Sequence, residues 1–321
     1  MKYKYIILLV AIALFNACNS KQTQKTIRIA TLKGPSSIGM IQMIDSLHKL
    51  NSYSVNIDIY NEPMLIRKLM LQNEVDFAIV PTTMASILYN KNIQYQLVAI
   101  PVWGTLYLFG NDTTINNWAD LKGKKVNLMA KGMTPDVLFK HLLIKNGISP
   151  NKDLTLDYSF PTHIDLANAV ASNQCHLGVI SEPLVSMVMQ KNKKVFPIFD
   201  LNNQWQKIYP NIPIAQTSLM VKKEFAQKNT DIVKQVIKHY SNSTQWVNNN
   251  PLLASELIVK HKILPNKELA SHTIPRSNLL FARADTIKPQ ILDYLKIFYT
   301  MNPNITGGKI PDNNFFWYCE E

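Results

Sequence analysis

A chain of 321 residues that is 46% apolar and 17% charged has enough apolar content for a large core, which excludes a disordered chain and a small disulfide-stapled scaffold and leaves two domains as the expectation. The formal charge is +12, yet its basic residues fall in scattered pairs such as Lys124-Lys125, Lys193-Lys194 and Lys222-Lys223. With no basic run and no basic helix face interleaved with aromatics, nucleic acid is excluded as the expected partner, and a solvated basic surface explains the surplus.

The first element is an export signal. Lys2 and Lys4 precede an apolar run over 5–15 and then Asn16-Ala17-Cys18, a layout too short to remain as a transmembrane helix. "FNAC" is similar to a bacterial lipobox, with Phe15 where leucine is usual, so residues 1–17 are expected to be removed and Cys18 to carry lipid. Residues 18–25 are polar and aperiodic and read as a lipidated tether. Loss of Lys2 and Lys4 lowers the charge from +12 to +10, and the two other cysteines, Cys175 and Cys319, are expected to be free or buried.

Beyond the tether, Ile27 to Thr31 alternates as a strand and runs into "LKGPSSIGM" over 32–40, which reads as a turn opening a helix. Strand over 55–60, helix over 63–72 with proline first, apolar strand over 75–80, helix from Thr82 or Thr83 to Asn90 and strand over 94–103 follow. Such alternation predicts an α/β fold with mostly parallel sheets flanked by helices. The chain then repeats itself: "LMLQNEVDFAIVP" over 69–81 aligns with "AVASNQCHLGVIS" over 169–181, with Asn73 upon Asn173. Asparagine tolerates the left-handed backbone that ends many helices, so the repeat predicts either two similar lobes or two βαβ units alike by chance.

In open α/β sheets ligands sit beyond the carboxyl ends of strands. Those ends are 32–37, 81–83, 131–134 and 181–183. A helix start leaves amide N–H groups unpaired and partly positive, so Gly34, Pro35, Ser36 and Ser37 form a candidate seat for an anionic or polar group. "AKGMTPD" repeats the device with Gly132, Met133 and Thr134, where Thr134 suits an N-cap and Pro135 the first helical position. Both patterns are also what plain helix capping prefers.

The lipobox, the Gly-Pro-Ser-Ser-Ile-Gly helix start, "NEVDFAIVPTTMA" from Asn73, "WADLKGKKV" from Trp118, "VISEP" from Val179 and "GGKIPDNNFFW" from Gly307 together resemble ABC-transporter substrate-binding lipoproteins. The resemblance is to the group that binds nitrate, taurine, alkanesulfonates and thiamine precursors, and it runs over nearly the whole mature chain. It implies a two-lobed type II periplasmic binding fold with hinge crossings near 103–107 and 212–217. Lobe 1 would then hold 26–103 and 217–321, and lobe 2 would hold 106–212. It implies a monomer on the periplasmic side of the cell envelope, anchored to a membrane through Cys18, that passes a small polar or anionic solute to a permease and needs no cofactor. Residues 117–128 would open lobe 2, leading into its first strand. Thr82 and Thr83 would line the cleft from lobe 1, and Glu182 with Pro183 from lobe 2. No arginine stands in these loops, so a bidentate clamp on a carboxylate or sulfonate is not evident. Trp103 and Tyr107, beside the first crossing, would stack on a flat ligand or serve as core. A carboxylate repels an anion, so a cleft-facing Glu182 would receive an amine, amide or ring N–H, or pair with a lysine; the alternative is a plain surface glutamate.

The same fold also hosts enzymes acting on small aromatic or cyclic acids, as in menaquinone synthesis, with Glu182 or Asp136 as nominal bases. Against catalysis, no nucleophile and base are spaced as in known motifs, and the seven histidines give no metal-ligand spacing. Cys175 and His176, adjacent on one strand, would point to opposite faces.

Overall fold

The structure is a computed structural model that describes residues 25–150, 152–160 and 162–318. The expected signal peptide, Cys18, the tether up to residue 24 and Cys319 lie outside those residues. In chain order the strands are β1 (Thr26–Leu32), β2 (Lys49–Leu50), β3 (Tyr53–Tyr60), β4 (Phe77–Pro81), β5 (Tyr95–Trp103), β6 (Leu106–Gly110), β7 (Lys125–Asn127), β8 (Thr155–Asp157), β9 (Leu177–Ser181), β10 (Phe196–Asp200), β11 (Ala215–Lys222) and β12 (Leu279–Arg283). They form two sheets, ordered β12-β5-β11-β4-β1-β3-β2 and β10-β6-β9-β7-β8. The chain leaves the first sheet after Trp103, enters the second at Leu106 and returns at Ala215.

Two expectations need correction. Parallel pairing is confined to β3-β1-β4 and β8-β7-β9, whereas β11 runs antiparallel to β4 and β5, and β6 antiparallel to β9 and β10. The sheets are therefore mixed rather than mostly parallel, because the strands next to each crossing run back against the parallel core. Residues 117–128 also do not open the second sheet. β6 enters it first, and the segment forms a 3₁₀ turn (Trp118–Leu121) capped by Asn117, then β7.

The repeat is structural. Helix Pro63–Leu71 and β4 recur 100 residues later as helix His163–Ala171 and β9. Asn73 and Asn173 hold left-handed φ values of 58° and 60°, which few residues besides asparagine and glycine adopt cheaply. β4 and β9 also share their surroundings, each with a parallel neighbour on one side and an antiparallel one on the other.

Alternation along β1 and β4 divides the core. Ile27, Ile29, Phe77 and Ile79 face helices Pro35–Gly39, Ile41–Ser46 and Thr230–Asn249, with Tyr240 fully buried among them. Ala30, Ala78 and Val80 face a second cluster that continues without a break into the other sheet through Leu106, Trp118, Leu138 and Trp205. Trp205, on helix Leu201–Ile208 behind β10, lies 6.2 Å from Tyr294 and 6.0 Å from Phe298. Both partners belong to helix Lys288–Met301, which follows β12 of the first sheet. One apolar seam thus joins the two halves.

Candidate functional site

The carboxyl ends of β1, β4, β7 and β9 carry the loops singled out in the sequence, and loops of the two sheets meet. Gly34 has φ 123° and ψ −144°, a combination essentially restricted to glycine, which turns the chain from β1 into helix Pro35–Gly39. Ser37 closes this turn: its Oγ accepts from Gly34 N at 3.1 Å and donates to Gly34 O at 3.0 Å. Ser36 points elsewhere, with its Oγ 3.3 Å from Thr217 Oγ1 on β11. Thr82 accepts from Ser218 Oγ at 2.9 Å, and Thr83 Oγ1 lies 2.8 Å from Thr134 Oγ1 of the other sheet's helix.

Thr134 corrects an expectation. It is the first residue of helix Thr134–Lys145, not its cap, and Met133 caps without a side-chain bond. The loop before it is shaped by Asp136, which accepts from Gly132 N at 2.6 Å, from Tyr158 OH at 2.6 Å and from Lys140 Nζ at 2.9 Å. Asp136 thus does the loop-closing that a capping threonine would have done, and the Thr134 hydroxyl is left to reach Thr83. Gly132 sits at φ 80° with open space around it, and Met133 is half-buried against the shared seam.

Glu182 joins Pro183 through a cis peptide bond. Its side chain is fully buried; Oε2 accepts from Ser186 N at 3.1 Å and Oε1 from Ser186 Oγ at 2.9 Å. The nearest cation is Arg276 rather than a lysine, its Nη1 3.8 Å from Oε1. Burial pushes this carboxyl up from its ordinary value, while Ser186 and Arg276 pull it back. The ring of Pro183 closes on the other sheet, since a Cβ placed on Gly34 would stand 3.2 Å from Pro183 Cδ.

The two aromatics stand apart from this set. Trp103 donates its indole N–H to Leu280 O at 2.7 Å on the neighbouring edge strand. Tyr107 is buried with Phe109, Ile180 and Val185 in the second sheet's own core, where burial first, then Asp200 and Glu182, hold its phenol far above its usual range.

Four contacts therefore stand at these loops, Gly34–Pro183, Ser36–Thr217, Thr82–Ser218 and Thr83–Thr134, while Arg276 meets Glu182 beside Pro183, and the sequence announced none of Thr217, Ser218 and Arg276. Thr217 and Ser218 could be found only from the pairing of β11 with β4, which sets them opposite Pro81 and Val80. Each hydroxyl pair spends one hydrogen and leaves one O–H unspent, and Thr31 Oγ1 is fully buried with no partner. Among the described residues, no hydrogen bond joins these hydroxyls to a lysine or arginine. What the arrangement offers is a set of neutral donors shared between two sheets. A hollow of about 630 Å³ runs elsewhere along the second sheet beside Asn127, Asp157 and Cys175, with none of Ser36, Thr83, Thr134 or Glu182 in its wall. Among the described residues no His, Cys, Asp or Glu cluster could hold a metal ion, and no helix is long and apolar enough to cross a membrane.

The same fold recurs in solved structures of several organisms. An ABC transporter protein from Parabacteroides distasonis superposes with TM-score 0.79 at 23% identity, covering 92% of this chain and 100% of that one. The periplasmic aliphatic sulphonate binding protein SsuA from Escherichia coli gives 0.75 at 15% identity over 92% and 93%. The alkanesulfonate-binding protein of Xanthomonas axonopodis bound to MOPS gives 0.67 at 16% identity over 86% and 93%. At these identities the likeness establishes the fold. A putative binding protein of Bacillus subtilis, YtlA, is 27% identical over 147 residues, which span 46% of this chain and 42% of that protein. The model of the phosphonate periplasmic substrate-binding proteins of ABC transporters matches residues 39–250. With about two thirds of its length inside that model, the chain belongs to this family of periplasmic substrate-binding proteins.

Proposed function

We propose that the two sheets with their helices act as hinged lobes, 26–103 with 217–321 and 106–212, which close on a small polar or anionic solute and hand it to an ABC permease. The observation that carries this reading is the Thr83–Thr134 pair: two helix-start hydroxyls, one beside each sheet and both buried, meet at 2.8 Å. A solute seated among these groups would be held by hydroxyl and amide donors rather than by a guanidinium fork, and by contacting both lobes would favour the closed state. A solute rich in acceptors fits such donors, which supports the sulfonate-like class over a cationic one. Native mass spectrometry of the purified protein should show a retained small molecule. Calorimetry with that molecule should give affinity weaker by about tenfold for Thr83→Val and for Thr134→Val, with the double variant losing less than the two combined. Unchanged affinity in both would remove this pair from the site.

Binding rather than catalysis is supported by the state of the nearest carboxylates. Asp136 and Glu182 are already engaged in holding the loops and helix starts of the second lobe, which leaves neither free as a base. We place the protein on the outer side of a membrane, as a monomer anchored by lipid on Cys18. Cys18→Ser should shift it from the membrane fraction to the soluble one on cell fractionation, and continued sedimentation with membranes would overturn the anchor.

A further inference from the structure

We propose that residues 266–276 form a clasp on helix Leu184–Lys191 that favours the closed arrangement of the lobes whether or not solute is present. This rests on reading the two sheets as hinged lobes. The helix follows β9 and belongs to the second sheet, while 266–276 lead into β12 of the first.

Three contacts cross between them. Gln190 and Asn266 exchange amide hydrogen bonds of 3.4 and 3.3 Å. Arg276 Nη1 lies 3.1 Å from Met189 Sδ as well as 3.8 Å from Glu182 Oε1. Met187 packs against the first sheet's core. The clasp starts at a crossing, where Asn278 donates to Gly104 O and Glu182 N donates to Thr105 O at 3.1 Å. From there it extends along a helix of 8 residues, about 12 Å at 1.5 Å per residue, so the Gln190 end has the longer lever.

The chemistry suits a contact that must release. Amide bonds of 3.3 to 3.4 Å and an ion pair of 3.8 Å with a partly exposed arginine are individually weak. Glu182 keeps both Ser186 bonds within its own lobe, so opening does not strip its buried carboxyl of every partner. The clasp therefore biases a population instead of locking it, and apparent solute affinity scales with the competent fraction.

The test is small-angle X-ray scattering of protein freed of solute by unfolding, dialysis and refolding. Gln190→Ala removes side-chain bonds made only to Asn266, and Arg276→Ala removes the other polar arm. Each should lower the closed-to-open ratio by roughly twofold to fivefold and raise the radius of gyration, with the double variant furthest open. Superimposable scattering for wild type and both variants overturns the clasp. If Arg276→Ala does not fold by circular dichroism, Gln190→Ala decides alone. Scattering that separates the variants of a protein that takes up no solute would uphold the clasp and sink the transport reading. Solute uptake with coincident curves would sink the clasp alone.

Discussion

Trp205→Ala is expected to lower the melting temperature by on the order of 10 °C in a thermal unfolding scan, because it empties the middle of the seam between the sheets. The indole is fully buried and meets Tyr209 at 4.7 Å on its own side and Tyr294 and Phe298 at 6.2 and 6.0 Å on the other. Removing a buried tryptophan costs about 3 to 5 kcal/mol, since the surroundings relax only partly into the space. The indole N–H also donates to Ile212 O at 2.5 Å, which ties down the returning crossing. Trp205→Phe keeps a ring but loses that bond and part of the buried volume, so its drop should be the smaller of the two. A melting temperature for Trp205→Ala within about 3 °C of wild type would show that the seam does not hold the halves together.

Gly34→Ala should weaken solute capture by roughly tenfold to a hundredfold. At φ 123° and ψ −144° any side chain is strained, by about 1 to 3 kcal/mol. The new methyl would also press on Pro183 Cδ at 3.2 Å, so the Pro183 ring or its loop must give by a few tenths of an ångström. Gly132→Ala is the matched control: φ is 80°, which again disfavours a side chain, but no atom of the other lobe stands within 4 Å of the added carbon. If backbone strain alone mattered, both variants would lose affinity, Gly34→Ala somewhat more. If contact between the loops matters, only Gly34→Ala loses affinity by calorimetry. Retained affinity in Gly34→Ala would place the closing contact elsewhere.

The site was legible where it depends on local rules. Proline and serine after a β-strand announced a helix start, and "NEVDFAIV" over 73–80 announced a left-handed asparagine and a buried strand. It was not legible where a hydroxyl's role depends on what lies opposite. Thr134 has the composition of a cap, yet its bond goes to Thr83 across the interface because Asp136 supplies the loop's closing bonds. Nor did the sequence give Glu182's protein partners: its buried carboxylate meets Ser186 and Arg276.

By itself the sequence determined the alternation of strands and helices, the repeat at 100 residues and the strand ends that carry the candidate loops, because side-chain period, glycine and proline geometry and asparagine's left-handed tolerance act within a few residues. Only the tertiary structure decided that the sheets are mixed, that Thr217 and Ser218 join Ser36 and Thr82, and that Arg276 reaches Glu182. Those facts depend on which distant segments pair: Ser36 and Thr217 are 181 positions apart, and Thr82 and Ser218 are 136 apart. No local preference encodes a partner so far along the chain. It is fixed when the strands of both sheets take their neighbours and bury their apolar faces together.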